Sequence, residues 1–250
     1  MAPFNGKVVI VTGGGAGIGR AAALKFAAKG AQVVVTGRRP EPLRELSAEQ
    51  PNIAFVIADA SNASDASRTV ANAIDRFGRL DVLVNNAGAG SMMPLGEASS
   101  ERIARIFAAN VYGPSLLATA ALPYLVESRG SIVNVSSTFG HKAAAGLSHY
   151  AASKAALEQL TRCWALELAL VGIRVNAVAP GPTETAFLVE RMGLSIEQAD
   201  AIRADERNRI PLGRRGTPDD VAQWIVALSL QTASWITGQV LAIDGGLTIA

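Results

Sequence analysis

Apolar and polar positions along the chain alternate between two regimes. Short runs rich in Val and Ile recur at 7–12, 32–36, 53–57, 81–86, 131–136, 173–179 and 239–243. Most are apolar at successive positions, which marks strands covered on both faces, as in a parallel sheet. Longer segments between them, roughly 17–29, 40–49, 62–77, 99–126, 149–171 and 217–230, read as helices. Thr217-Pro218-Asp219-Asp220 opens the last one with a capping hydroxyl, a proline in the first turn and two acids beside it. Strand–helix alternation over the whole of residues 1–250 predicts one doubly wound α/β domain. Residues 182–216 interrupt the rhythm and are too long for an ordinary connection. They are expected to form one or two short helices lying over the site as a lid.

Composition narrows the function classes. Of 250 residues, 49% are hydrophobic and only 5% aromatic, which suits helices packed closely on a sheet. A net charge of +2, with no Lys/Arg stripe, argues against nucleic acid as a partner. The single cysteine, Cys163, rules out an intramolecular disulfide and is expected to be a core or interface thiol. Two histidines and one cysteine offer no metal-ligand spacing, so no metal is expected. No stretch reads as a signal sequence or a membrane span, and a cytoplasmic location without a membrane partner is the expectation.

Candidate chemistry begins with "TGGGAGIG" at 12–19, between the first strand and the first helix. Gly13, Gly17 and Gly19 fit T-G-x-x-x-G-x-G rather than G-x-G-x-x-G. Glycines in that place let a backbone approach a pyrophosphate, and the helix N-terminus attracts its charge. Dinucleotide binding is therefore expected. The second strand ends in Gly37, where NAD-preferring enzymes usually carry an acid, and Arg38 and Arg39 follow. Two guanidiniums there favour NADP, with NAD possible, because arginine binds phosphate oxygens through a forked donor set. The remaining signal is "HYAASKAAL" at 149–157. Tyr150 and Lys154 lie one helical turn apart with only small residues between them. A free tyrosine has a pKa of about 10, and an adjacent ammonium favours its phenolate. The pair reads as an acid/base tuned toward neutral pH.

These pieces occur in an order that resembles the short-chain dehydrogenase/reductase family. The likeness runs from about Lys7 to Gly246 and rests on "TGGGAGIG", Asp59, "NNAG" at 85–88, Asn110, Ser137, "YAASK" at 150–154 and "PGPTET" at 180–185. It implies a Rossmann-like domain with a seven-stranded parallel sheet and hydride transfer between a nicotinamide cofactor and a carbonyl or alcohol. By resemblance Tyr150 is the acid/base and Lys154 touches both the phenol and a ribose. Ser137 bonds the substrate oxygen, and Asn110 holds a water that links the lysine to solvent. The resemblance extends the cofactor contacts to Gly15 and Ile18 in the first turn, to Asp59 at the adenine amine and to Ala60 beside it. It adds Ala87 and Gly88 through their backbone, and Asn86 as an anchor of strand ends. At the nicotinamide end it adds Pro180, Gly181 and Thr185. Thr183 replaces a branched aliphatic, so only its backbone is expected to contact the carboxamide.

The expected pocket wall is Gly90, Ser91, Met92, Met93, Thr138, Phe139, Leu147 and His149, with His141 nearby and Phe187, Leu188 and Met192 from the lid. A mostly apolar wall suits a small ketone or secondary alcohol of modest polarity. Two alternatives stay open. One is a 3-oxoacyl-(acyl-carrier-protein) reductase, for which Val171 stands where a basic residue would grip the carrier. The other is a nucleotide-sensing protein without catalysis, which both Tyr150 and Lys154 argue against. Leu116, Leu117, Leu157, Leu160 and Trp164 on two helices, with Trp224 and Trp235 as core or interface anchors, point to a homo-oligomer. A homotetramer is expected.

Overall fold

In the computed structural model, which describes residues 2–250, the apolar runs become seven parallel strands. They are β1 (Val8–Thr12), β2 (Gln32–Gly37), β3 (Ile53–Ile57), β4 (Val82–Asn85), β5 (Ser131–Val135), β6 (Arg174–Pro180) and β7 (Val240–Ile243). They hydrogen-bond in the order β3-β2-β1-β4-β5-β6-β7 within one sheet. β1, β4 and β5 are buried at every position, as expected of strands sandwiched between helical layers.

Helices α1 (Gly17–Ala28), α2 (Pro40–Glu49) and α9 (Pro218–Ser229) accompany the strands, and α1 and α9 share one core cluster around Phe26, Val33 and Ile225. The opposite cluster joins α3 (Ala63–Phe77), α5 (Gly113–Ser128) and α6 (Ser148–Leu168) over Ile10, Leu83 and Ile132. The sheet is thus covered on both faces, and the chain is doubly wound as its alternation predicts. Thr217 caps α9 as expected: its hydroxyl accepts from the Asp220 amide, and the Asp220 carboxylate accepts from the Thr217 amide at 2.7 Å. In this order the chain turns back between β1 and β4. In open sheets the crevice above such a switch point, at the carboxyl ends of the strands, is where ligands bind.

Three expectations change. The helix expected over 99–126 is not uniform: α4 (Ser100–Phe107) continues into a π-helical turn at Ala108–Tyr112 before α5. Taken as one, Ser100–Ser128 is long and apolar enough to span a membrane, with 33% of its most apolar window buried. No uninterrupted apolar run stands there, because Asn, Ser, Thr and Pro interrupt it. Its buried residues, including Leu117, Ala121 and Leu125, pack into the core, which is where an apolar helix of a sheet protein belongs. Among the residues expected to be uncovered, Leu117 and Leu157 are core residues, and Leu116 and Trp164 pack against the core. Of the two tryptophans expected as core or interface anchors, Trp235 is 98% exposed and Trp224 partly so, and Leu170, at 99%, is uncovered together with Leu166 and Tyr112. Helical periodicity identifies an apolar face without dividing it between sheet and solvent. The segment 182–216 carries α7 (Phe187–Glu190) and α8 (Ile196–Arg209), and the second is longer than expected.

Candidate active site

A cavity of about 1060 Å³ opens at the carboxyl ends of the strands. The glycine turn forms one wall. Gly13 (φ +66°) and Gly17 (φ +54°) take backbone conformations that disfavour any side chain. A Cβ at Gly13 would stand 2.9 Å from the Asn86 amide nitrogen, and one at Gly17 3.1 Å from Thr185. The α1 N-cap is Ala16, whose side chain satisfies none of the free amides of the first turn. A cradle of backbone with unpaired donors fits a pyrophosphate.

The cavity collects nearly all the sequence-predicted residues. Gly13, Gly15, Gly17 and Ile18 line it from the first turn, and Arg38, Arg39, Asp59 and Ala60 from the ends of β2 and β3. Asn86, Ala87 and Gly88 line it beyond β4, and Pro180, Gly181, Thr183 and Thr185 beyond β6. Ser137, Tyr150 and Lys154 face it from β5 and α6. Gly19 and Asn110 do not line it. Gly19 lies against Asn86 and the Gly13 carbonyl, so its role is close packing of α1 on the turn. Asn110 is fully buried in the π-helical turn, a bulge of the kind that often accompanies functional positions. Its amide donates to the Ala89 carbonyl and to Ser153 Oγ, and its Oδ1 accepts from the Ala89 amide at 2.8 Å. The side chain is therefore spent on holding the loop after β4 to α6.

Helix α6 sets the central group. Tyr150 is 8% and Lys154 4% exposed. Lys154 Nζ donates to the Val135 carbonyl at 2.9 Å and stands 5.9 Å from the centre of the Tyr150 ring. Gly88 leaves the approach open: a Cβ there would lie 3.4 Å from Nζ. Burial pushes the Lys154 ammonium down to about 8, opposed by Glu158 one turn further along α6. The expectation that this ammonium lowers the phenol's pKa is not met. Burial pushes the Tyr150 phenol above its ordinary value, and the Ser137 hydroxyl is what pulls the other way. The ammonium is turned to the Val135 carbonyl, not the phenol. At neutral pH Tyr150 is a protonated donor. The ring of Phe187, on α7, tilts over it with centroids 6.1 Å apart.

Several supporting residues escaped the sequence reading. Thr12 Oγ1 accepts from the amides of Asn86 and Ala87 at 2.9 Å, and Asn86 Nδ2 donates to the Thr12 carbonyl at 2.8 Å. These bonds lock the ends of β1 and β4 together, the anchoring expected of Asn86. Glu158, 3% exposed, accepts from Ser136 Oγ at 2.8 Å and faces His141 Nδ1 at 3.2 Å and Arg162 at 3.9 Å. Arg215, 4% exposed, donates to the Thr183 carbonyl at 2.6 Å and pairs with Glu206 of α8, so it ties the base of the lid to β6. The signal for Glu158 was in the sequence, an acid at i+4 from Lys154 on an otherwise apolar face. Arg215 carried none. The histidines, by contrast, do not line the cavity: His141 turns to Glu158 and His149 to Ser148. Thr138 is fully buried, its hydroxyl turned toward Asp244, and Met93 is core. Of the expected wall, Met92, Phe139, Leu147, Phe187, Leu188 and Met192 line the cavity.

Comparison with known proteins agrees with this arrangement. The family model described as Enoyl-(Acyl carrier protein) reductase matches residues 13–248. The chain is 39% identical to 3-oxoacyl-(acyl-carrier-protein) reductase FabG of Thermotoga maritima, covering 98% of this chain and 99% of that protein. It is 36% identical to L-fucose dehydrogenase of Bos taurus, over 97% of this chain and 90% of the relative. Among solved structures, a short-chain dehydrogenase/reductase of unknown function from Caenorhabditis elegans, with cofactor, superposes with a TM-score of 0.92 at 34% identity, covering 99% of this chain and 97% of that one. A 3-ketoacyl-(acyl-carrier-protein) reductase from Brucella melitensis complexed with NADH gives 0.91 at 34% identity, covering 98% and 99%. The chain belongs to the short-chain dehydrogenase/reductase family, and it is an NAD(P)-dependent oxidoreductase.

The charge balance on α6 yields a direct expectation. In NMR of the lysine side-chain nitrogens, Lys154 titrates at about 8. In Glu158→Gln its midpoint moves to lower pH, because the carboxylate is the charge that opposes burial. An unchanged midpoint would mean that Glu158 does not act on the ammonium.

Proposed function

We propose that the cavity carries out reversible reduction of a ketone of modest polarity to a secondary alcohol with NADP(H), in one catalytic domain with 182–216 as its lid. The observation that carries this reading is the buried Tyr150 phenol beside Ser137, one turn from Lys154, on the same cavity as the glycine cradle. When bound, the nicotinamide cofactor supplies or accepts the hydride. The chain supplies the rest. Tyr150 gives its hydroxyl proton to the substrate oxygen in reduction and takes it back in oxidation. Ser137 donates a hydrogen bond to the same oxygen as charge develops there. Lys154 keeps its ammonium at the Val135 carbonyl, one helical turn from the phenol, where the cofactor ribose would meet it, and the Asn110 turn keeps the loop after β4 against α6. The glycine turn takes the pyrophosphate, and Asp59 and Ala60 border the adenine. Phe187 and Leu188 close over the reacting groups and exclude water.

Met92, Leu147, Phe187 and Met192 bring apolar surface to the wall, which supports a substrate of modest polarity, although Arg105, Lys142, Asp205 and Arg209 line the same cavity. Acyl chains on a carrier protein remain the second reading, favoured by the 39% identical reductase. Against it, Val171 is apolar and 40% exposed where a basic residue would meet an acidic carrier.

Arg38 and Arg39 at the end of β2 favour NADP over NAD. A Cβ at Gly37 would stand in ordinary contact, 3.7 Å from Leu43, so the backbone there does not itself exclude a side chain. Tyr150→Phe is expected to fold and to bind cofactor while losing roughly 10²–10⁴-fold in turnover on a ketone panel assayed with NADPH and NADH. A variant keeping more than about a tenth of kcat would put the proton transfer elsewhere.

We also propose that the enzyme is a cytoplasmic homotetramer. Leu166, Leu170 and Trp235 are more than 80% exposed, a surface that closed symmetric association would cover. Light scattering of the detergent-free protein at micromolar concentration should return a four-chain mass, and a one-chain mass would contradict this.

A further inference from the structure

At the adenosine end of the cavity the lid comes down on the β2 arginines. Glu190, the last residue of α7, pairs with Arg39 at 2.9 Å between its Oε1 and the guanidinium. The next residue, Arg191, has no ion-pair partner among the described residues, yet it is partly buried and lies within the field of both Arg38 and Arg39. Arg38 itself is held only loosely, 3.9 Å from Asp59. All five side chains belong to residues lining the same cavity. Three guanidiniums from two separate elements therefore converge where two carboxylates are available, and one of those carboxylates is carried by the lid. Burial and the two neighbouring guanidiniums act against the charge on Arg191, with only Glu190 acting for it, so the cluster is one that an added anion would complete.

We propose that Glu190 and Arg191 select the cofactor: Glu190 occupies Arg39 in place of a 2′-phosphate, and that phosphate, when present, displaces Glu190 and gains Arg191 as a third guanidinium. This rests on the reading that the cleft takes a nicotinamide dinucleotide with its adenosine ribose at Arg38 and Arg39. The chemistry favours the exchange. A phosphate monoester carries more charge than one carboxylate and offers three acceptor oxygens to forked donors. The pair it breaks is half-exposed and of the kind that contributes little. The 2′-hydroxyl of NAD(H) has neither the charge to displace Glu190 nor the oxygens to engage three arginines. Seating the phosphate would thereby exchange one lid contact, Glu190 with Arg39, for another, Arg191 with the phosphate. Cofactor identity and lid contacts become linked through two adjacent residues.

Calorimetric titration with 2′,5′-ADP and with 5′-ADP isolates the 2′-phosphate from nicotinamide and substrate. Wild type should bind 2′,5′-ADP more tightly than 5′-ADP. In Arg191→Ala the affinity for 2′,5′-ADP should fall about tenfold or more, the size of one charge-assisted contact, with 5′-ADP unchanged within about twofold. In Glu190→Gln the affinity for 2′,5′-ADP should rise about two- to fivefold, again with 5′-ADP unchanged. If both variants alter the two nucleotides equally, or neither, while Arg38→Ala still loses 2′,5′-ADP selectively, the lid has no part in selection and the proposal fails with the cofactor reading intact. If Glu190→Gln weakens 5′-ADP, the carboxylate serves ribose hydroxyls and the proposal is overturned. If wild type binds both nucleotides equally and Arg38→Ala changes neither, the reading of the β2 arginines fails and takes the proposal with it.

Discussion

A positive charge kept out of water on α6 constrains the rest of the site. The Lys154 ammonium has one protein acceptor, the Val135 carbonyl at the end of β5, and one nearby opposite charge, Glu158. To hold it there the helix must lie close to the strand ends, and the residues around it are small for that reason. Gly88 faces Nζ, and Gly140 faces the Glu158 carboxylate so closely that no side chain would fit. Ser136 and His141 complete the carboxylate's hydrogen bonds, so the charge that supports the lysine is itself supported. A chain selected only for stability would place an apolar side chain at this position.

The same constraint explains the polar bonds that stitch the strand ends. Asn85 bonds Asn134, which bonds Thr161 of α6, forming a buried ladder from β4 across β5 to the helix. Asn110 and Ser153 tie the other side of α6 to the loop after β4. Directional bonds of this kind fix position more tightly than apolar packing does, and a catalytic group needs to be held within a fraction of an ångström. On the opposite wall Thr12 and Asn86 do the same for the glycine turn. The floor of the cavity is therefore built from side chains whose hydrogen bonds are already taken, while Tyr150, Ser137 and the glycine turn face the open space.

Much of this was legible in the sequence because the signals were local. Successive apolar positions marked the strands, a capping threonine followed by proline and two acids marked α9, and glycines between a strand and a helix marked the turn. The Tyr150–Lys154 spacing placed both groups on one helical face. What could not be read depended on long-range placement. The π-helical turn at Asn110 arises where α4 and α5 must meet the loop after β4, and periodicity over 99–126 carries no trace of it. Whether Leu117 or Leu166 meets the core depends on how the helix rolls on the sheet. The direction of the ammonium, toward Val135 and not the phenol, depends on where β5 ends relative to α6. His141 has the composition of a pocket residue and instead completes Glu158. Arg215 and Glu206 are separated in sequence by an ordinary loop, and only the fold turns them into the clamp under the lid.

On the proposed function, the Lys154 charge serves chemistry at the expense of the fold. Folding lowers its pKa to about 8 from an ordinary 10.5, so the unfolded chain holds that proton more tightly. Stability from this group is present above the unfolded value and is lost as pH falls through the folded one, at a cost on the order of 3 kcal/mol near neutrality. Lys154→Met keeps the length of the side chain and removes the charge. Thermal unfolding and steady-state turnover of this variant at pH 7 give the most direct test. The expected result is a midpoint equal to or above that of the wild type, together with a loss of turnover of roughly 100-fold or more. Turnover within about tenfold of the wild type, or a midpoint lower by about 5 °C or more, would contradict it.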